Sequence, residues 1–296
     1  MLSSIRCVAA SVVLCAVAGA VDAQTGRYFV TDESGVNNVW QFQSGALVNT
    51  WPTLPPGPRM GPIVVDGNTN TVRYAAGGMV GGQTGPGWEH DFAGTPVAGP
   101  LSLTLPPFAG GGQVGRVIDA GFDGQSAYVV AWSGHVLRYN GDFSGPGAFV
   151  FNAISASIDE RPQGITYDTL TNTIWTSDYN LSGGIGFVRQ WSLAGVQLTA
   201  FPVTNPAGVN SERNTALAYD QNDDTFWLNA HVENTLGFGL GELWQFDRAG
   251  NFLQAINATP GQNLLYWGGE IRLIPAPGAV ALLGLASVVG ARRRRA

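Results

Sequence analysis

The stretch ITYDTLTNTIWT, Ile165–Thr176, has two further copies in the chain: IVVDGNTNTVRY, Ile63–Tyr74, and LAYDQNDDTFWL, Leu217–Leu228. Each copy contains an apolar run, an Asp at its fourth position, a Thr five residues later, and a second run of β-branched or aromatic residues. Asp, Asn and Gly between two such runs are typical of a turn that joins antiparallel strands. A shortened copy, VIDAGFDGQSAYVV, begins at Val117, so the strand pair is predicted four times.

A second motif follows the strand pairs and predicts a third strand. Each copy begins with an aliphatic residue and ends with an aromatic one: Val39–Phe42, Val136–Tyr139, Val188–Trp191 and Leu243–Phe246. An Ala-Gly pair then leads in three places into another β-rich run, which predicts a hairpin and a fourth strand. A four-stranded unit with a period of roughly 50 residues matches a β-propeller blade.

The two ends of the repeat region complement each other. Tyr28–Thr31 matches a second strand with no first strand before it, whereas Gly268–Ile274 is a spare strand-like run. We therefore predict an all-β propeller of five four-stranded blades over residues 24–274, in which the C-terminal strand completes the N-terminal blade and leaves no open edge. The loops 81–87 and 101–115 leave six blades as an alternative, and a β-sandwich is the competing architecture.

The composition is rich in turn-forming and aromatic residues and poor in charge. Among 296 residues there are 41 Gly and 17 Pro, while charged residues make up 12%. All 15 basic residues are Arg, several of them at the two ends, and the net charge is −6. The acidic middle excludes nucleic acid as a partner, because phosphate binding needs clustered cations. Both cysteines, Cys7 and Cys15, precede residue 20, which leaves no thiol for chemistry once a leader is removed.

The first 23 residues have the organisation of a signal peptide. Arg6 supplies a positive charge, Val8–Val17 is apolar, and Val21–Ala23 offers a small-residue cleavage site. Residues 1–23 are therefore predicted to engage the Sec translocon and signal peptidase, which places the mature chain outside the cytoplasm.

Residues 275–296 combine a proline motif, an apolar run and a basic end. The run Ala279–Val289 lies between the motif Pro275, Ala276, Pro277 and the cluster Arg292, Arg293, Arg294, Arg295. This arrangement resembles the PEP-CTERM sorting signal of bacterial exported proteins, with Ala276 where that family has Glu. The resemblance implies a transmembrane segment before processing, an exosortase-like processing enzyme as partner, and a protein that is held at the cell surface or released into extracellular matrix.

The body of the chain, residues 26–274, resembles NHL-like and gluconolactonase-like propellers. The resemblance rests on blade starts in which Tyr-Asp is followed by Thr-Asn-Thr and Trp, as in Tyr167–Trp175. It implies the propeller fold and no particular reaction, because a fold does not determine a function.

Polar residues at the ends of the predicted second strands depart from the repeat. These strand ends open onto one face of a propeller, so side chains from three blades are expected to converge around the central channel. Carboxylate and amide oxygens suit Ca²⁺ or another divalent ion such as Mg²⁺, and an imidazole with a carboxylate suits a transition metal. The predicted binding residues are Asp32, Asp178, Asn180, His231 and Glu233.

The sequence contains no nucleophile elbow, phosphate-binding loop or zinc-protease motif, so no catalytic residue and no required cofactor is predicted. The preferred hypothesis is an exported, non-enzymatic binding or structural module. An extracellular glycan is the expected ligand, since exposed aromatic rings with Asn and Asp are a common sugar-binding surface. The alternative is a metal-dependent hydrolase or lactonase that holds a divalent ion in the channel.

Overall fold

A computed structural model describes residues 26–32, 37–54, 59–77, 82–106, 116–154, 160–231, 242–257 and 264–272. Within these ranges the chain forms strands and turns, and no helix there is long and apolar enough to cross a membrane. The predicted segments 1–23 and 275–296 lie outside the described residues. In chain order the strands are β1 (Arg27–Asp32), β2 (Asn38–Gln43), β3 (Ala46–Pro52), β4 (Met60–Asp66), β5 (Thr71–Ala76), β6 (Thr84–Asp91), β7 (Pro96–Thr104), β8 (Val117–Phe122), β9 (Ser126–Ala131), β10 (His135–Asn140), β11 (Ala148–Asn152), β12 (Glu160–Asp168), β13 (Thr173–Asn180), β14 (Phe187–Trp191), β15 (Gln197–Pro202), β16 (Arg213–Asp220), β17 (Thr225–His231), β18 (Glu242–Asp247), β19 (Phe252–Asn257) and β20 (Tyr266–Arg272).

These strands form five antiparallel blades of four strands each. From the axis outward, the blades are β20-β1-β2-β3, β4-β5-β6-β7, β8-β9-β10-β11, β12-β13-β14-β15 and β16-β17-β18-β19, numbered blade 1 to blade 5. Each inner strand packs against the inner strands of its two neighbours, which closes the ring. A single bridge between Tyr179 and Arg213 also joins blades 4 and 5. The predicted five-bladed propeller is therefore confirmed for the described part of the chain.

Blade 1 is built from both ends of the repeat region, as predicted. Strand β20 pairs with β1 in antiparallel register, with Ile271 opposite Tyr28 and Gly269 opposite Val30. The C-terminal strand occupies the innermost position, which the N-terminal blade otherwise lacks. The backbone hydrogen bonds between β20 and β1 therefore join the two ends of the repeat region and close the ring.

The repeated aspartates form the turns between the first and second strands of their blades. In each turn Oδ1 accepts the N–H group two residues ahead: Asp66 from Asn68, Asp168 from Leu170 and Asp220 from Asn222, at 2.9, 2.9 and 3.0 Å. The residue before the second strand has a positive φ in all three turns, and it is Asn or Asp, which tolerate that conformation. The predicted turns are present, and the repeated aspartates cap them.

Aromatic residues from neighbouring blades form the core between them. Tyr128 of blade 3 stacks on Tyr167 of blade 4, with ring centroids 5.2 Å apart, and Trp175 of blade 4 lies 4.6 Å from Phe226 of blade 5. Trp227 of blade 5 contacts blade 1 in the same way. Equivalent aromatic positions therefore hold blade against blade, and these rings are not available to a ligand.

Candidate functional site

Five sheet edges meet at the axis, and the Asp119 carboxylate lies among them. The inner strands present backbone N–H groups that have no partner in their own blade and must find one elsewhere. Asp119 on β8 is fully buried. Its Oδ2 accepts the N–H groups of Ile165 and Leu217, both at 3.1 Å, and its Oδ1 accepts those of Gly269 at 2.9 Å and Ala120 at 2.8 Å. One carboxylate thereby joins the inner strands of blades 1, 3, 4 and 5.

A second buried carboxyl group, Glu270 on β20, shares the axis with Asp119. It accepts N–H groups from Phe122 and Ile271, both at 3.1 Å. Burial raises the pKa of Glu270 to about 8, against the opposing effect of these donors. Burial and the nearby Glu270 also raise the pKa of Asp119, whose N–H partners oppose the shift. Both carboxyl groups are therefore buried at the axis and bonded to backbone N–H groups of the inner strands.

Asp32, the first predicted site residue, organises the end of its own blade. It is fully buried at the end of β1. Its carboxylate accepts the N–H groups of Asn37 and Asn38 at 3.1 and 3.0 Å, and the indole N–H of Trp40 at 2.8 Å. These bonds stabilise the start of β2 and hold the carboxylate within its own blade.

Asp178 is also committed within its blade. Its carboxylate accepts a hydrogen bond from Arg189 Nε at 2.6 Å, and Glu160 pairs with the same guanidinium group. Burial raises the pKa of Asp178 to about 7, although Arg189 opposes the shift. Arg189 therefore joins the start of β12 to the end of β13 through two carboxylates.

Asn180 and His231 lie at the junction of blades 4 and 5. Asn180 organises the turn after β13, where its Oδ1 accepts the Ser182 N–H group at 3.1 Å. The backbone N–H group of Asn180 donates to the Glu212 carbonyl oxygen at 2.8 Å, and the backbone N–H group of Glu212 donates to the His231 carbonyl oxygen at 3.2 Å. Asn180 and His231 thus flank Glu212, whereas Asp32 belongs to blade 1. Glu233 lies outside the described residues, among which no three His, Cys, Asp or Glu side chains form a group that fits a metal ion.

Sequence reasoning missed a set of arginines at the upper face, the end of the ring where the inner strands begin. Four of the five inner strands carry an Arg at or next to their first residue: Arg59, Arg116, Arg161 and Arg213. A sequence signal for them exists. Arg59, Arg161 and Arg213 each stand four residues before the first residue of a repeat copy, at Ile63, Ile165 and Leu217. Because the inner strands surround the axis, this spacing gathers cations on one face of an acidic protein.

The upper face of blades 3, 4 and 5 forms a continuous cationic and aromatic surface, here called the arginine face. The backbone N–H group of Trp132 donates to Arg116 O at 2.9 Å, and the Trp132 ring meets the Tyr179 ring edge-on, with centroids 6.0 Å apart. The Arg213 guanidinium lies over the Tyr179 ring at 5.5 Å, and Arg161 pairs with Tyr179 in the strand register. Both aromatic rings are partly exposed, and Arg116 is exposed. This surface presents hydrogen-bond donors and ring edges together.

No protein-family model and no curated protein sequence matches this chain. Among solved structures, it is similar to the WD40 beta propeller domain of Doa1, with 13% identity and a TM-score of 0.41; the match covers 79% of this chain and 65% of that one. It is also similar to glutaminyl cyclase of Myxococcus xanthus, with 13% identity and a TM-score of 0.44 over 72% of this chain and 91% of the other. The chain thus spans less than two thirds of the Doa1 domain chain, and both likenesses concern the fold alone.

Proposed function

We propose that this chain is an exported bacterial propeller that binds extracellular carbohydrate through the arginine face. The signal-peptide pattern of residues 1–23 and the PEP-CTERM-like tail of residues 275–296 support export, followed by anchoring or release at the cell surface. A closed propeller is a rigid scaffold, and its face loops are the surface on which such scaffolds carry binding sites.

The observation that carries the proposal is the pairing of Trp132 with Tyr179 on the arginine face. Most large aromatic residues in the described part are buried. Trp132 and Tyr179, which belong to neighbouring blades and contact each other, are partly exposed. Aromatic rings next to hydrogen-bond donors suit the apolar faces and hydroxyl edges of sugar rings. The alternative of a metal-dependent hydrolase draws on Asp32 and Asp178, whose carboxylates are already held by structural partners.

Replacement of Trp132 tests the proposal directly. We expect Trp132→Ala to weaken polysaccharide binding about tenfold, which corresponds to roughly 1.4 kcal/mol of lost contact. Affinity electrophoresis of the full chain through gels that contain dextran, cellulose derivatives or alginate measures the change. Phe149→Ala is the matched control, because Phe149 is 55% exposed on an outer strand, away from the arginine face. Unchanged retardation of the Trp132 variant, or turnover of a polysaccharide by the wild type, contradicts the proposal.

A structural role in the matrix is the second candidate function, and the outer strands favour it. Strands β3, β7, β11, β15 and β19 contain no charged residue, and each blade exposes apolar side chains along this edge. Examples are Val97 at 57%, Phe149 at 55%, Leu198 at 53% and Leu253 at 49% exposure. Soluble proteins usually protect free edges with charge, because unpaired backbone groups on one edge can pair with another. Five such edges suit a protein that associates with further copies of itself.

A charge on an outer strand tests this second role. We expect Leu198→Glu to raise the concentration at which the full chain self-associates by about tenfold, since about 1.4 kcal/mol of edge pairing is lost to repulsion and desolvation. Sedimentation velocity across a concentration series measures the shift. Leu170→Glu adds the same charge at a side chain that is 64% exposed in the turn between β12 and β13, and it should leave association unchanged. Equal effects of both variants argue for net charge rather than edge pairing.

A further inference from the structure

Five arginines of the described part form two contrasting groups. Arg73, Arg189 and Arg248 each bind two carboxylates, at distances from 2.5 to 3.2 Å. Arg116 and Arg161, by contrast, make no ion pair within the described residues. The carboxylate next to Arg161, Glu160, is held by Arg189. An acidic protein that leaves cations at the axis without acidic partners has positions suited to an external anion.

The arginine face also contains a buried donor without a partner. Gln163 on β12 is fully buried, and its Oε1 accepts a hydrogen bond from Arg213 Nε at 2.9 Å. Since Arg213 can only donate, the amide oxygen must face it, and this fixes the orientation of the amide group. The Gln163 Nε2 atom has no hydrogen-bond partner within the described residues, and neither has the buried Arg161 Nε. Buried donors of native proteins are usually satisfied, and these two lie close together in the chain, on either side of Pro162 and beside Arg213, so one acceptor placed between them would satisfy both.

A β-bulge explains why Gln163 lies here. The register of β12 against β13 shifts between Pro162 and Gly164, so Gln163 is the extra residue. Bulges re-aim a side chain, and they are common beside functional sites. Tyr179 on β13 lies between two arginines in the strand register: Arg161 on β12 is its partner on one side, and Arg213 on β16 is its partner on the other. Their Cα atoms are therefore roughly two strand spacings, about 10 Å, apart, a separation that two long side chains can span around one small anionic group.

We propose that Arg116, Arg161, Gln163 and Arg213 form an oxyanion subsite, and that the ligand is a polysaccharide with acidic sugars. The inference rests on the carbohydrate-binding function proposed above and gives its substrate class. The four side chains of the subsite supply donors, which match the acceptor oxygens of a uronate carboxylate or a sulfate ester. Two carboxylates, Glu160 and Glu212, precede Arg161 and Arg213 in the chain, and Glu160 is paired with Arg189. The planar guanidinium fork binds such groups through two parallel hydrogen bonds. Trp132 and Tyr179 then contact the sugar ring that carries the charge.

The experiment compares charged and neutral ligands on the full chain. Isothermal titration with alginate oligosaccharide, oligosaccharides of dextran sulfate and neutral dextran separates uronate, sulfate ester and uncharged sugar. We expect Arg161→Gln and Arg116→Gln each to lower the preference for the acidic oligosaccharide over neutral dextran about tenfold, because the glutamine amide still donates a hydrogen bond to a sugar but no longer neutralises an anion. Arg138→Gln is the matched control, because Arg138 is exposed on β10 outside the arginine face and loses the same charge. Arg116 is exposed, so its variant keeps the fold even where the Arg161 variant does not.

Each outcome decides between the two proposals. Tighter binding of either acidic ligand than of dextran, lost in the Arg116 and Arg161 variants but not in Arg138→Gln, supports the subsite and identifies the anion. Equal binding of acidic and neutral ligands overturns the subsite and leaves the carbohydrate function standing. Binding of none of the three overturns both proposals. Duplex DNA serves as a further control ligand, a polyanion without acidic sugars. If DNA binds as tightly as the acidic oligosaccharide, or if the Arg138 variant loses as much affinity as the other two variants, net charge rather than a built subsite attracts the anion. Either result also overturns the inference.

Discussion

Asp119→Ala is expected to lower the free energy of unfolding by about 5 kcal/mol, because three cross-blade N–H groups lose their acceptor and each buried orphan costs about 1–3 kcal/mol. The three donors come from Ile165, Leu217 and Gly269, which are 46, 98 and 150 residues away in sequence. Asp119→Asn keeps one acceptor oxygen and should lose about half as much. Urea unfolding of the full chain, followed by Trp fluorescence, measures both changes.

A surface aspartate provides the control for the Asp119 variants. Asp142 is exposed and accepts the Ser144 N–H group at 2.9 Å within its own turn. Its replacement by Ala should cost no more than about 1 kcal/mol, the usual value of one local hydrogen bond. A loss below about 2 kcal/mol for Asp119→Ala means that water or strand movement replaces the carboxylate, and that the ring does not depend on it.

The blade architecture follows from turn chemistry that the sequence repeats. Asp66, Asp168 and Asp220 act on backbone groups two residues away, so a local pattern is enough to recognise each hairpin. Ring closure by β20 was predictable because one half-blade lacked a strand and the other end of the chain had one to spare. Regular repetition made even the blade count accessible from sequence.

The site was harder to predict, since its interactions join residues that are far apart in sequence. Asp32 and Asp178 drew attention because they break the repeat, but only the fold reveals that Trp40 and Arg189 bind their carboxylates. Asp119 lies in a short apolar run with no local sign of its role. Arg59, Arg161 and Arg213 each lie four residues before a repeat copy, so their spacing was visible in the sequence. The net charge of −6 gave no reason to look for a cluster of cations.

Stability should fall as the pH rises from about 5 to 9, and Glu270 should account for much of the change. Its folded-state pKa of about 8 lies above its ordinary value of 4.5, so the folded protein binds the proton more tightly than the unfolded chain does. The resulting stabilisation is complete below the ordinary pKa and is lost as the pH rises through the folded value. At 1.36 kcal/mol per pKa unit, the difference amounts to at most roughly 5 kcal/mol.

Glu270→Gln separates this effect from other titrating groups, including Asp119 and Asp178, whose raised pKa values act in the same direction. The amide keeps the shape of the protonated acid and does not titrate, so the variant should lose less stability with rising pH and should exceed the wild type at pH 9. Glu242→Gln, the same change at a partly exposed strand end, should keep the wild-type profile. Thermal unfolding of the three full-length proteins at pH 5, 7 and 9 measures the differences. Parallel curves for wild type and Glu270→Gln mean that Glu270 is ionised in the folded ring. In that case Glu270 is a buried negative charge beside Asp119, and the N–H groups of Phe122 and Ile271 must stabilise it.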